Sequence, residues 1–317
     1  WSRGLFNAFC KDEPLSTEGV RKIVMHRPFC KEYCFSAPKL IESPSKWERL
    51  FPETDSENYV IAIPGKSKRR FSALMTNVIQ DYDLEQHANS FPLYIYEKEN
   101  LTDDGQMSMF GEAERPTVKW HRRYAISDAI LHKYSEIYGS KVTKEDIFYY
   151  IYAVLNAPAF IDKYADDLSK DVTRVPMLAH FNDYAHIGRA LAELHINYEA
   201  PASAESVGVT VDKQKEDYTV TQMRFGKGKD KSIIEYNPYI TIRDIPAAAY
   251  DYIVNGKSAI EWIVEQYAVT TDKASGIVND PNTYAGGKYV FDLLLSIISV
   301  SLKTQELIAQ LPEYKEI

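Results

Sequence analysis

Thr143-Lys-Glu-Asp146-Ile-Phe-Tyr-Tyr-Ile-Tyr-Ala-Val-Leu155-Asn-Ala-Pro158 is the most helix-like text in the chain, and the fold reads outward from it. Thr143 supplies an N-cap, and Asp146 stands at N3 as a shorter substitute for the Glu of a capping box. Ile147, Phe148, Ile151, Tyr152 and Leu155 then recur on one helical face. Pro158 suits the first turn of a following helix, which carries Phe160, Ile161, Tyr164 and Leu168 on one side. Upstream, Ser127 caps a helix that runs through Tyr138 and ends at Gly139. Before that, Arg21 to Tyr96 reads as short strands. Tyr59–Ile63 gives way to the turn pair Pro64-Gly65, and Phe91–Tyr96 alternates in the β manner. Downstream, a helix covers Phe181–Tyr198. Strands are expected at Tyr218–Phe225, Ser232–Tyr236 and Tyr239–Ile242, and helices at Pro246–Val254, Ser258–Tyr267 and Lys288–Leu311.

Strands and helices in blocks predict an α+β fold. Its N-terminal part is strand-rich, its middle helical, and it closes with mixed strands and C-terminal helices. The polar text from Glu97 to Pro116 marks the candidate boundary. This divides the chain into a strand-rich subdomain at 1–97, a loop or linker at 98–119, and a helical and mixed α/β subdomain at 120–317.

Composition narrows the class. The 317 residues are 45% hydrophobic and 26% charged, a globular balance, and the 23 tyrosines suit half-buried strands or a contact surface. The chain begins at Trp1 without Met, a basic n-region or a signal-like apolar stretch, which predicts a piece of a longer polypeptide. The longest apolar run, Tyr289–Leu302, contains Asp292 and three serines and is shorter than the ~20 residues of a membrane span, so a buried helix is expected. Cys10, Cys30 and Cys34 are too sparse for a secreted disulfide scaffold and predict a reducing cytoplasm. With His26 they suggest a zinc set, but no CxxC pair is present and ordinary core positions are the plainer reading.

Signatures of catalysis are mostly missing. There is no GxGxxG, GxxxxGK[ST], HExxH or GxSxG. Gly226-Lys-Gly228-Lys reads as a basic turn between strands. Asn237-Pro238-Tyr239 is close to the Asn-Pro-Pro-Tyr motif of adenine methyltransferases, but it lacks the second Pro and a preceding glycine-rich loop, so a tight turn is expected. Asp81, Asp83 and Glu85 suggest a metal-dependent nuclease without the Lys that such centres often carry shortly after. Asp166-Asp167 fits a solvated helix face. No catalytic, cofactor or metal residue is assigned.

What remains is basic and polar surface. The net charge of −8 argues against a small dedicated DNA binder, yet the cations cluster. Lys66, Lys68, Arg69 and Arg70 form one cluster, Arg122 and Arg123 mark a second, and Arg224, Lys227, Lys229 and Lys231 form a third. Such groups bind phosphate by counterion release. Arginine can also read guanine bidentately, and Gln86, Asn89 and Gln222 are of the type that reads adenine. For any one of them alone, a solvated surface residue is the plainer reading.

Three long stretches carry a resemblance. They are His26-Arg27-Pro28-Phe29 followed by Tyr33; Asp146–Phe160 continuing through Lys163–Leu168 to Arg174-Val175-Pro176; and Val254–Ile263 with Gly276–Asn282. In this order they resemble the C-terminal part of type ISP restriction–modification enzymes, with Cys30 standing where that family often has Asp. The resemblance covers about Arg21 to Pro312. It implies a non-catalytic target-recognition module that grips double-stranded DNA, selects a short asymmetric site, and helps present a flipped adenine to a methyltransferase domain of the same polypeptide. S-adenosylmethionine, Mg²⁺ and ATP would belong to other domains. Asn255-Gly256 and Asn279–Asn282 are expected to be turn and helix-cap chemistry within that module. The rivals are an isolated nuclease or methyltransferase, and a docking domain that couples to the methyltransferase without reading DNA.

Overall fold

Strand β3 (Val60–Ile63) is buried along its whole length, and the molecule is arranged on its two faces. The computed structural model of the chain describes residues 7–8, 10–11, 19–37, 46–99, 119–170, 173–274 and 276–317. β3 lies between β4 (Leu74–Thr76) and β6 (Asn89–Pro92), antiparallel to both. Successive strand residues point to opposite faces. Ile61, Ile63 and Met75 therefore enter one core, while Ala62 and Leu74 enter another. A strand buried on both sides has no polar face, which is why this one reads Val-Ile-Ala-Ile.

The first core is helical. It is built by α1 (Asp128–Tyr138), α2 (Lys144–Leu155), the short α3 (Pro158–Lys163) and α4 (Ala165–Leu168), and α5 (Phe181–Ile196). Ser127 and Gly139 bound α1, and the Thr143–Asp146 capping box closes in both directions. Pro158 opens α3. Helices α2 and α5 cross so closely that a Cβ on Gly188 would lie 1.9 Å from the Tyr149 carbonyl oxygen, so the crossing requires glycine.

The second core joins the strand-rich region to the C-terminal half. After α6 (Ala204–Val207), strands β9 (Thr210–Lys213), β10 (Arg224–Gly226), β11 (Asp230–Asn237) and β12 (Ile240–Arg243) form an antiparallel sheet in the order β10-β11-β12-β9. Helices α7 (Ala259–Gln266) and, after the short α8 (Pro281–Tyr284), α9 (Tyr289–Ala309) supply Ile260, Ile263, Leu294, Ile297 and Ile298 to this core. The sheet β2-β1-β5, made of β1 (Val20–Arg27), β2 (Cys30–Ser36) and β5 (Ile79–Gln80), contributes Met25 and Cys30. Residues before 97 thus feed both cores. No helix among the described residues is long and apolar enough to cross a membrane.

A polar contact links the elements around the two cores. His195 on α5 is 1% exposed and stacks on Tyr252, with ring centroids 4.7 Å apart. Thr304 donates its hydroxyl proton to the Val300 carbonyl, so His195 Nε2 is the donor at 2.9 Å and Nδ1 accepts from Tyr152 at 2.5 Å. Tyr152 in turn accepts from Met75 N on β4. Burial pushes the imidazole pKa down to about 3, which keeps the ring neutral.

Several expected elements differ, each for a local reason. Phe91–Tyr96 is two strands, β6 and β7 (Tyr94–Lys98). β6 pairs with β3, whereas β7 leaves for a ribbon with β8 (Trp120–Tyr124). The Pro158–Leu168 helix is interrupted at Tyr164, which ends α3 and precedes α4. Of the expected Tyr218–Phe225 strand, only Arg224 and Phe225 lie in a strand, which extends to Gly226. At 217–220 side-chain amides replace a ladder: Asn282 bonds both Val220 N and O, and Asn237 Nδ2 donates to the carbonyls of Asp217 and Thr219. Strand β9 was not expected. Pro246–Val254 is not a helix but a 3-10 turn at Ala247–Tyr250 followed by strand β13 (Ile253–Val254). β7 and β8 are antiparallel, and Glu99 N donates to Lys119 O at 2.8 Å. Residues 100–118 of the expected linker lie outside the described residues.

Candidate nucleic-acid interface

The loop from Pro64 to Phe71 connects β3 to β4 and carries Lys66, Lys68, Arg69 and Arg70, all exposed. A second loop lies against it. Gly65 N donates to Gln86 O at 3.1 Å, and a Cβ on Gly65 would lie 2.8 Å from the His87 carbonyl oxygen. Register places Asn89 opposite Ile63, at the start of the basic loop. The fold therefore brings Lys66, Lys68, Arg69, Arg70, Gln86 and Asn89 together. Beside them, exposed Tyr82 stacks on His87, with centroids 4.9 Å apart.

This loop is tied from below. Ser67 accepts from Arg69 N at 3.0 Å and donates to Gln86 Oε1 at 2.6 Å, so one of the two acceptor positions on the Gln86 carbonyl is already engaged. Arg69 Nη1 donates to Asn255 Oδ1 at 2.5 Å and to Asn255 O at 3.2 Å. Asn255 is itself buried. Its amide donates to the carbonyls of Asp83 and Leu84, and its backbone N–H donates to Ser72 Oγ. Ser72 bonds both carboxyl oxygens of Glu85, at 2.9 and 3.0 Å. Burial pushes the Glu85 pKa up to about 8, against hydrogen bonds from Ser72 and the Asn255 backbone and the charge of Arg69. Across a groove of about 830 Å³, the loop faces α3 and α4, where Arg70 approaches Asp162 at 3.7 Å.

The second cluster lies on the β7–β8 ribbon. Arg122 stacks over Tyr94, 4.3 Å from the ring centroid. Arg123 instead holds Glu97 through Nε at 2.9 Å and Nη2 at 2.7 Å, and that hydrogen bond keeps the carboxyl below the usual range. The third cluster lies on the four-stranded sheet. Lys227 and Lys229 are exposed in the β10–β11 turn, where Gly228 and Lys229 have φ of 75° and 64°. Arg224 donates to Gln222 Oε1 at 3.0 Å, and Lys231 pairs with Glu261 at 2.8 Å. The three clusters thus sit on three different sheets.

The acidic residues weighed for metal chemistry are engaged separately. Asp81 meets His26 and Arg27 at 3.4 Å, whereas Glu85 is buried on Ser72. Among the described residues, no three His, Cys, Asp or Glu side chains are disposed to hold a metal. Burial, then the charge of Glu32, pushes the Cys30 thiol up to about 12, away from the thiolate that metals bind. Asn237-Pro238-Tyr239 is the β11–β12 turn, with Asn237 Oδ1 accepting from the N–H groups of Tyr239 and Ile240.

Residues 1–293 match the family of type ISP C-terminal specificity domains. The chain belongs to that family. Three solved structures are similar to this specificity domain. The ATP-dependent type ISP restriction–modification enzyme LlaBIII, bound to DNA, matches with a TM-score of 0.87 at 32% identity over 100% of this chain and 20% of that one. A nuclease-deletion mutant of the type ISP enzyme LlaGI, in complex with a DNA substrate mimic, matches with 0.81 at 35% identity over 100% and 23%. The DrdV–DNA complex matches with 0.79 at 25% identity over 99% and 30%. The specificity domain therefore spans less than a third of the length of each of these proteins. No curated protein matches the chain.

Sequence reasoning missed three features of the specificity domain's basic surface: the Tyr82–His87 stack, the Asn255 brace and the buried Glu85 behind it. The Asn255-Gly256 pair forms a turn, as expected, but between β13 and β14 (Lys257–Ser258) rather than after a helix, with φ of 48° and 79°. Nothing in the sequence tied that turn to Arg69.

Proposed function

We propose that this chain selects a sequence on double-stranded DNA as the target-recognition part of a longer type ISP restriction–modification polypeptide. Membership in the specificity-domain family over residues 1–293 carries the reading, and the three DNA-bound neighbours support it. The basic loop at 64–71 suits the duplex contact: four exposed cations lie on one loop of a rigid sheet beside an exposed aromatic stack. The domain has no chemical step of its own in this reading. S-adenosylmethionine, Mg²⁺ and ATP are assigned to other parts of the polypeptide, and the cytoplasm is where it meets DNA.

A second surface suits a neighbouring protein domain. Ile23, Tyr33 and Phe35 are exposed on the β1–β2 hairpin, with Ile23 directly opposite Tyr33. This apolar strip is the feature favouring a docking role, and the methyltransferase of the same polypeptide is the partner it would take.

Selection from a randomised duplex library, followed by sequencing of the bound fraction, tests the reading. Enrichment of one short asymmetric motif is expected. Binding without enrichment reduces the domain to a backbone clamp, and no binding at low salt leaves the docking role alone.

A further inference from the structure

The four cations of the 64–71 loop are not equivalent. Lys66 and Lys68 make no ion pair among the described residues, and Arg70 makes only an exposed, long one. Arg69 is fixed. Its stem lies over the Asn255-Gly256 turn, where a Cβ on Gly256 would be 3.1 Å from Arg69 Cδ. Both hydrogens of Nη1 are used on Asn255. The edge formed by Nε and Nη2 has no partner among the described residues, and the residue is exposed. That edge presents two parallel N–H groups, the arrangement that grips a pair of acceptors.

A brace needs no charge, yet here a guanidinium is held by a neutral amide. The carboxyl behind it does not neutralise it, because Glu85 is raised to about 8 by burial and holds its proton at neutral pH. The result is an uncompensated cation with one edge locked and the other open.

We propose that Arg69 is a preset fork for an acceptor pair on the duplex, either a guanine edge or phosphate oxygens, and that Asn255 is its positioning residue. Asn255 lies 186 residues away in sequence and is held in turn by Ser72 and by the carbonyls of Asp83 and Leu84. This rests on the DNA-reading function proposed above. It assigns one arginine of the basic loop to fixed-geometry recognition and leaves its neighbours as mobile phosphate cations.

The test uses the full chain, a duplex carrying the selected motif, and a scrambled duplex. Arg69→Lys keeps the charge and removes the fork. Asn255→Gly keeps the left-handed turn and removes the side chain, and a thermal melt checks that both variants fold. Arg69→Lys is expected to weaken binding about 10–100-fold, matching one lost two-point contact. Loss confined to the selected duplex assigns the guanine edge, and equal loss on both assigns phosphate. Asn255→Gly should weaken binding in the same pattern, about 3–10-fold, and should add little once Arg69 is Lys, as coupled residues do. Wild-type affinity for Arg69→Lys on both duplexes would overturn the inference while leaving the function intact. Absence of wild-type binding would remove both. Full additivity of the two substitutions would remove Asn255 from the assignment.

Discussion

The loop at 64–71 and the turn at 226–229 are both positively charged and are built in opposite ways. The loop stands on a strand buried on both faces, and its Arg69 is pinned by Asn255, which is fixed by Ser72 above buried Glu85. The turn crosses between β10 and β11 on Gly228, where an added Cβ would meet nothing within 4 Å, and it presents Lys227 and Lys229 to solvent. Positive charge on a free turn adjusts to any phosphate and supplies affinity without choice. A guanidinium locked along one edge reaches only acceptors placed to suit it. Ion pairing sorts the remaining cations: Arg123 on Glu97 and Lys231 on Glu261 must release a carboxylate before they meet DNA.

The largest expected effect lies beneath the loop. Glu85 has its pKa raised from the usual 4.5 to about 8 in the folded chain. Between those values the folded chain keeps a proton that the unfolded chain has released, so this group costs stability as pH rises through the window, and the cost is constant above about pH 8. Glu85→Gln should match the wild type below pH 4.5 and exceed it progressively to pH 8, by on the order of 5 kcal/mol at most. Denaturant melts across pH check this. Parallel curves would mean that Glu85 is ionised in place and that Arg69 is compensated.

Next in size is the brace. Asn255→Ala removes an acceptor for Arg69, leaves the carbonyls of Asp83 and Leu84 short of donors, and forces alanine into φ of 48°. A loss of about 2–4 kcal/mol is expected. Gly228→Ala pays only for its left-handed backbone, about 1 kcal/mol. Equal losses at the two sites would erase the contrast between loop and turn.

The smallest effect tests the turn. Lys227→Ala with Lys229→Ala should weaken duplex binding a few-fold on every sequence and lower the salt slope by at most about 2. A loss restricted to the selected motif would give the turn a reading role and reverse the comparison.

Local chemistry was legible wherever partners lie within a few residues. Ser127 and Gly139, the Thr143–Asp146 box, Pro158, and the turns at Gly226–Lys229 and Asn237–Tyr239 are all formed by neighbours in sequence. Where long-range partners decide, the text misled. Ile245, Ala249 and Tyr252 are buried at a spacing that resembles a helix, but the segment forms a 3-10 turn and then a hairpin strand, packed into the core that α7 and the C-terminal helix share. Asn282 and Asn237 hold 217–220 out of a ladder from afar. The candidate site divides in the same way. The basic clusters are visible as runs of Lys and Arg, whereas the difference between Arg69 and its neighbours depends on a residue in the other half of the chain.

The salt dependence of duplex binding by the full chain tests the central claim most directly. Between about 50 and 200 mM salt, log Kd should rise linearly with log salt, with a slope of about 4 if the four cations of the 64–71 loop each meet a phosphate, and steeper if the other clusters join them. A flat line, or no binding at the lowest salt, would contradict the assignment of this basic surface to DNA.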